Sequence, residues 1–190
     1  MRNRWVVLAA SVVTQTILGG IYAWSTFVPA LIERYGLNNA GSSFIFGLTI
    51  GVFTVSMTFA GRLLKQKGPR LTANISAILY MTGYLIASVS GGDYLILLIS
   101  LGLITGAGIG FGYVGPLSVG MKWFPDRKGL ITGITVAGFG GGAVILSTVA
   151  GVFIDSGVDV LVFFRWMGFV LGAVLIIAAQ CMFEPESDGR

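Results

Sequence analysis

The chain has 190 residues, of which 55% are apolar and only 11% charged, with a mean hydropathy of +0.87 and a formal net charge of +4. A water-soluble domain carries about 25% charged residues, so this composition excludes one. The absence of histidine and the single cysteine, Cys181, exclude internal disulfides, His-based triads and zinc sites of the His or multi-Cys kind, and no metal or cofactor is expected.

The charged residues divide the chain into six apolar tracts, predicting spans at about 5–32, 43–61, 71–90, 94–120, 129–153 and 160–183. Crossing about 30 Å of hydrocarbon takes about 20 helical residues, and each tract can supply a crossing. In lipid only helices and closed barrels satisfy the backbone. The tracts lack the short alternation of barrel strands. The expected fold is therefore an all-α membrane protein with six transmembrane helices, followed by a hydrophilic tail at 184–190 that reads as the start of a linker. The first tract is too long for a cleavable signal peptide and no small-residue cleavage site closes it.

Basic residues set the expected orientation. Arg2 and Arg4 precede the first span; Arg62, Lys65, Lys67 and Arg70 join the second to the third; Lys122, Arg127 and Lys128 join the fourth to the fifth. The alternate connections hold Arg34 against Glu33, Asp93, Asp155 and Asp159. The positive-inside rule places both termini in the cytoplasm of a multi-pass cell-membrane (inner or plasma membrane) protein. The net positive charge is accounted for by topology, and no nucleic-acid partner is expected.

Two glycine runs spell dinucleotide-binding patterns, Gly110–Gly115 and Gly138–Ala143. That motif has meaning only between a strand and a helix, and both runs lie inside spans. Gly102, Gly106 and Gly110, like Gly108 and Gly112, recur every four residues, a spacing that lets helices approach closely. Asn74-Ile75-Ser76 is a glycosylation sequon by spelling alone, at the start of a span on the cytoplasmic side.

No Asp or Glu lies deep in a span. Arg165 is the one charge embedded in a tract; it either snorkels to the outer interface or draws anions toward an outward-open vestibule. Gln15, Tyr22 and Thr26 share a face of the first span; Thr132, Thr135 and Phe139 share one on the fifth; Tyr113 shares one with Gly106, Gly110 and Pro116 on the fourth. Tyr22, Tyr113 and Phe139 lie near the middle of their tracts, where they either line a central cavity or pack between helices.

The connection Gly61-Arg62-Leu63-Leu64-Lys65-Gln66-Lys67-Gly68-Pro69-Arg70 resembles the signature loop of the major facilitator superfamily, G-x-L-x-D-R-x-G-x-R. Arg4-Trp5, Ile21-Tyr22-Ala23-Trp24-Ser25, Gly68-Pro69-Arg70 and Lys122-Trp123-Phe124-Pro125-Asp126-Arg127-Lys128-Gly129 look like the oxalate:formate antiporter family, with the monocarboxylate porters as near neighbours. The resemblance implies the first six-helix bundle of a twelve-helix transporter, itself two inverted three-helix repeats. It implies a small carboxylate as substrate, caged by aromatics at positions matched by Tyr22, Tyr113 and Phe139; Gln15, on the Tyr22 face of the first span, is the fourth candidate substrate-binding residue. Trp24 also matches the family, but it points nearly opposite Tyr22 on the helix.

Gly61, Arg62, Lys65, Gly68, Arg70 and Asp126 are the expected gating residues. Lys65 and Gln66 depart from the pattern's acid and base, so the usual cytoplasmic latch is altered and Asp126 is the acid available nearby. The expected partners are the bilayer, a small carboxylate, and either a C-terminal six-helix half or a second copy. A truncated, non-transporting remnant or a partner-binding subunit is the alternative reading.

Overall fold

The computed structural model describes residues 3–185; Arg2 of the basic start and residues 186–190 of the tail lie outside the described residues. Among the described residues six helices are long and apolar enough to cross a membrane: α1 (Arg4–Tyr35), α2 (Asn39–Lys67), α3 (Pro69–Ser88), α4 (Tyr94–Trp123), α5 (Pro125–Asp155) and α6 (Val160–Gln180). No strand occurs among the described residues.

Helix starts follow from side chains that satisfy the first free N–H groups. Asn3 accepts from the Trp5 N–H (3.0 Å), Asn38 from Gly41 (2.6 Å), Asp93 from Ile96 (3.0 Å) and Asp159 from Leu161 (2.7 Å). Asp93 and Asp159, which mark topology in the sequence, thus also start α4 and α6. At the end of α1 the chain reverses on Gly36 at φ 70°, where the Gly36 and Leu37 N–H groups donate to the carbonyls of Ile32 and Leu31.

The basic segment 62–70 corrects one expectation. It is not a loop: α2 runs on through Arg62 and Lys65 to Lys67, and a single residue, Gly68 at φ 82°, separates it from Pro69 at the first position of α3. Arg, Lys and Gln are good helix formers, so leaving the apolar zone gives the helix no reason to stop. Pro favours the first helical turn, and glycine accommodates the positive φ.

α3 lies between α4 and α6, while α1 packs on α4 and α5, and α2 on α4. Lipid offers no hydrophobic drive for helices to associate, so close backbone approach has to hold them together. The α4 glycines form two such faces. A Cβ on Gly110 would lie 2.6 Å from the Phe53 carbonyl oxygen of α2, and one on Gly108 would lie 2.8 Å from the Tyr80 nitrogen of α3. The apparent dinucleotide motif is therefore helix packing.

A closed aromatic core joins α1, α3 and α6. The Phe27 ring lies 5.1 Å from Phe164, Tyr84 lies 5.8 Å from Phe164, and Tyr80 lies 4.7 Å from Tyr84. By contrast α2 and α5 leave large apolar side chains uncovered, among them Phe44, Val55 and Phe59 on α2 and Val144, Ile145 and Val152 on α5.

Candidate functional site

A second aromatic cluster stands on the α1, α2, α4 and α5 side of the bundle, and it reaches the surface through Tyr22. In α1 the backbone tightens into a 3-10 turn at Gly20–Ala23. Trp24, just beyond it, is fixed to α2: its indole N–H donates to the carbonyl (3.2 Å) and hydroxyl (3.1 Å) of Ser42. Tyr22 instead emerges 46% exposed. Its ring stands edge-on to Phe139 of α5 at 5.9 Å and to Phe46 of α2 at 6.2 Å.

Phe139 is the hub. It is 8% exposed, with Tyr113 of α4 edge-on at 5.0 Å and Phe53 of α2 stacked at 6.2 Å. Tyr113 and Phe53 meet at 5.6 Å. The three aromatics singled out in the sequence are thus brought together, each within about 7 Å of its helix midpoint at 1.5 Å per residue. Sequence reasoning missed Phe46 and Phe53. Their i, i+7 spacing on α2 places them on one face and was the available signal.

Gln15 lies behind this wall rather than in it. It is fully buried, and its amide nitrogen donates to the Tyr113 carbonyl at 3.0 Å. Pro116, inside α4, removes the ladder bond to the Gly112 carbonyl, one residue before Tyr113. Gln15 Oε1 is buried without a hydrogen-bond partner among the described residues. Thr135 is also buried and donates to the Ile131 carbonyl of its own helix. The wall therefore presents aromatic edges and the hydroxyl-bearing rings of Tyr22 and Tyr113. No charged side chain belongs to it.

The gating candidates are dispersed. Gly61, Arg62 and Lys65 belong to α2, and Arg70 reaches across to α6, where its Nε and Nη2 donate to the Gln180 carbonyl at 3.1 and 2.6 Å. This is cation capping of a helix C-terminus. Asp126 sits in the exposed turn opening α5. Among the described residues no ion pair joins it to Arg62, Lys65 or Arg70. The chain after α6 is held by α4: Lys122 pairs with Glu184 at 2.7 Å, and the Trp123 indole donates to the Phe183 carbonyl at 2.7 Å.

At the opposite end Asp159 forms a clasp. Besides capping α6, it accepts from the Tyr35 hydroxyl at 2.7 Å and pairs with Arg34 at 3.3 Å, joining the end of α1 to the α5–α6 connection. Partial burial pushes its carboxyl pKa up. The hydrogen bonds from Tyr35, Leu161 and Arg34, with the Arg34 charge, outweigh this and hold it below the ordinary value. A depressed carboxylate pKa stabilises the fold above the unfolded value, about 3.9, and that contribution is lost as pH falls through the folded value. Thermal stability in detergent should accordingly hold from pH 7 to 5 and drop below about pH 4. Asp159→Asn should flatten part of that drop; an unchanged acid limb would show that the clasp contributes nothing.

Arg165 is exposed on α6, on the face shared with Val162 and Phe169. It is not part of the aromatic wall, whose residues come from α1, α2, α4 and α5.

Residues 7–189 match the model of the Major Facilitator Superfamily. The chain is 34% identical over 142 residues to an uncharacterized MFS-type transporter of Escherichia coli (strain K12), YhjX, covering 75% of this chain and 35% of that protein. It is 26% identical over 189 residues to the oxalate:formate antiporter of Oxalobacter formigenes, covering 98% and 44%. It is 31% identical over 196 residues to apicoplast pyruvate carrier 1 of Toxoplasma gondii, covering 81% and 36%. The chain thus spans between 35% and 44% of the length of these relatives. Six membrane-length helices joined through glycine faces, with a family match along nearly the whole chain, make it a member of the major facilitator superfamily.

Proposed function

We propose that the chain is the N-terminal half of a secondary transporter for small organic carboxylates, working by alternating access against a second six-helix bundle. The observation that carries this reading is the uncharged aromatic wall at mid-depth, formed by Tyr22, Phe53, Tyr113 and Phe139, from which Tyr22 emerges exposed. Such a wall can shape a small planar anion and donate hydroxyl hydrogen bonds to it, with Gln15 fixing the backbone that carries Tyr113. It cannot neutralise the anion. Burying an unpaired carboxylate costs several kcal/mol even after relaxation, so the balancing cation belongs to the other half of the site. Two of the relatives are named for small carboxylates, oxalate with formate and pyruvate.

In this reading both termini face the cytoplasm of a cell membrane, because Arg4, Arg62, Lys65, Lys67, Arg70, Lys122, Arg127 and Lys128 gather at one end of the helices. The ends of α2, α3 and α5 there form the cytoplasmic gate, with Gly68 as its tight link.

The test is uptake of labelled oxalate, formate and pyruvate into proteoliposomes. The chain alone should give uptake indistinguishable from empty vesicles, and co-reconstitution with a matching basic second bundle should create it. Lys65→Asp, which restores the acid of the family pattern, should then protect cytoplasmic-side cysteines from labelling. Strong uptake by the lone chain would mean that two copies complete the site. No uptake with any second bundle would favour the partner-binding or non-transporting reading.

A further inference from the structure

The basic end of the bundle carries a groove apart from the aromatic wall, sharing only Asp126 and the first turn of α5 with the gate. It has a volume of ≈ 430 Å³ and lies between the start of α1, the end of α4 and the first turns of α5. Each of two walls begins with a guanidinium and continues as aliphatic side chains. Arg4 is followed by Leu8 on α1; Arg127 is followed by Leu130 and Ile134 along α5. These are i, i+4 and i, i+3, i+7 series, so each stripe stays on one helix face. The α5 stripe runs about 10 Å from charge to the last aliphatic at 1.5 Å per residue.

Aromatics collar the charged mouth. The Arg4 guanidinium lies over the Phe124 ring at 5.4 Å and the Trp5 ring at 5.6 Å. Cation–π contact of this kind orients a guanidinium without neutralising it. Trp5 is exposed, as are Leu130 and Ile134, and indoles favour the headgroup level of a bilayer. Among the described residues neither Arg4 nor Arg127 has a carboxylate within ion-pair distance. Asp126 is the groove's single acid against those two cations.

Cation at the interface, aromatic collar and an aliphatic run leading toward the membrane interior complement a molecule with an anionic head and a long apolar tail. A small dicarboxylate has no part that would use the aliphatic run. We propose that this groove is a binding site for one anionic phospholipid, its phosphate on Arg4 and Arg127 and an acyl chain along Leu130 and Ile134. The site is separate from the aromatic wall and does not depend on what the wall transports.

Native mass spectrometry of the purified full chain, titrated with phosphatidylglycerol or with phosphatidylcholine of the same acyl chains, tests this. Phosphatidylglycerol adducts should predominate. Basic residues near a membrane surface each contribute enough that Arg4→Gln with Arg127→Gln should weaken binding by roughly tenfold or more. Ile134→Trp should reduce the same adducts with both guanidinia intact, by filling the aliphatic run. Arg127 and Ile134 lie at the surface, so their replacement leaves the core untouched, and gel filtration checks that each variant remains folded. Lys65→Gln with Lys67→Gln, at the end of α2, should leave the adducts unchanged. Equal binding of the two lipids, adducts that survive Ile134→Trp, or an equal loss from the Lys65 and Lys67 pair would overturn the site.

Discussion

Gly142→Val should abolish recovery of a folded, monodisperse chain, while Gly140→Ala and Gly141→Ala should leave the melting temperature unchanged or slightly higher. The three glycines are consecutive in α5, yet they meet different surroundings. A Cβ on Gly142 would run into the Thr16 carbonyl oxygen, with the Thr16 carbonyl carbon 2.8 Å and its Cα 3.1 Å away; Gly140 and Gly141 have nothing within 4 Å. The obstacle at Gly142 is backbone, which cannot rotate aside. Over-packing costs about 1–3 kcal/mol where side chains can yield, and here α1 and α5 have to separate instead. Their contact is reciprocal, because a Cβ on Gly19 of α1 would lie 2.6 Å from the Phe139 carbonyl carbon of α5. Separation at one glycine therefore loosens the other. At Gly140 and Gly141 the opposite term operates, since alanine in a helix interior gains about 0.5–1 kcal/mol over glycine. Melting curves in detergent for the three variants decide the matter, and equal stability would show that α1 and α5 do not meet through glycine.

That α1–α5 contact illustrates which features the sequence makes legible. Gaps between charges are enough to find six helices, because a bilayer excludes charge. They do not find the helix ends, because Arg62, Lys65 and Lys67 favour helix as much as the apolar residues before them, and α2 continues through all three. The four-residue glycine spacing announces close packing but not the partner. Gly110 and Gly112 differ by two positions in α4, yet the first faces α2 and the second faces Ser76 of α3 and Leu18 of α1.

Tyr22, Tyr113 and Phe139 are visible because each stands near mid-helix among small or hydroxylic neighbours. Phe46 and Phe53 are hidden because α2 also carries Phe44 and Phe59, which are exposed, and hydropathy cannot tell an exposed ring from one packed against other helices. Gln15 is legible as a polar residue on the right face of α1. Its burial beneath Tyr113 comes from a bond to the α4 backbone, 98 positions away in sequence, and no local pattern encodes it.

The sharpest test of the aromatic wall is Tyr22, because it separates substrate contact from packing. Tyr22 is 46% exposed and Phe139 is 8% exposed, so the two rings should respond differently to truncation. Phe→Ala at a buried position costs about 3–5 kcal/mol, and Phe139 is packed against Tyr22, Phe53 and Tyr113. Phe139→Ala should therefore lower both protein level and uptake, and by itself cannot distinguish the two roles. Tyr22→Ala should leave the melting temperature nearly unchanged and still reduce carboxylate uptake in vesicles that also contain the second bundle.

Tyr22→Phe refines the result, since it keeps the ring and removes the hydroxyl. A hydrogen bond to a charged group contributes about 1.5–3 kcal/mol, so losing one donated to a carboxylate should raise the half-saturating concentration by roughly tenfold or more. Tyr113→Phe should act in the same direction, while Gln15→Leu should lower uptake through the backbone of α4 rather than through a lost substrate contact. Its signature would be reduced activity at every substrate concentration, with the half-saturating concentration little changed. Should Tyr22→Ala, Tyr22→Phe and Tyr113→Phe all transport at the parental rate and affinity, the cluster is helix packing, and the carboxylate must be held entirely by the second bundle.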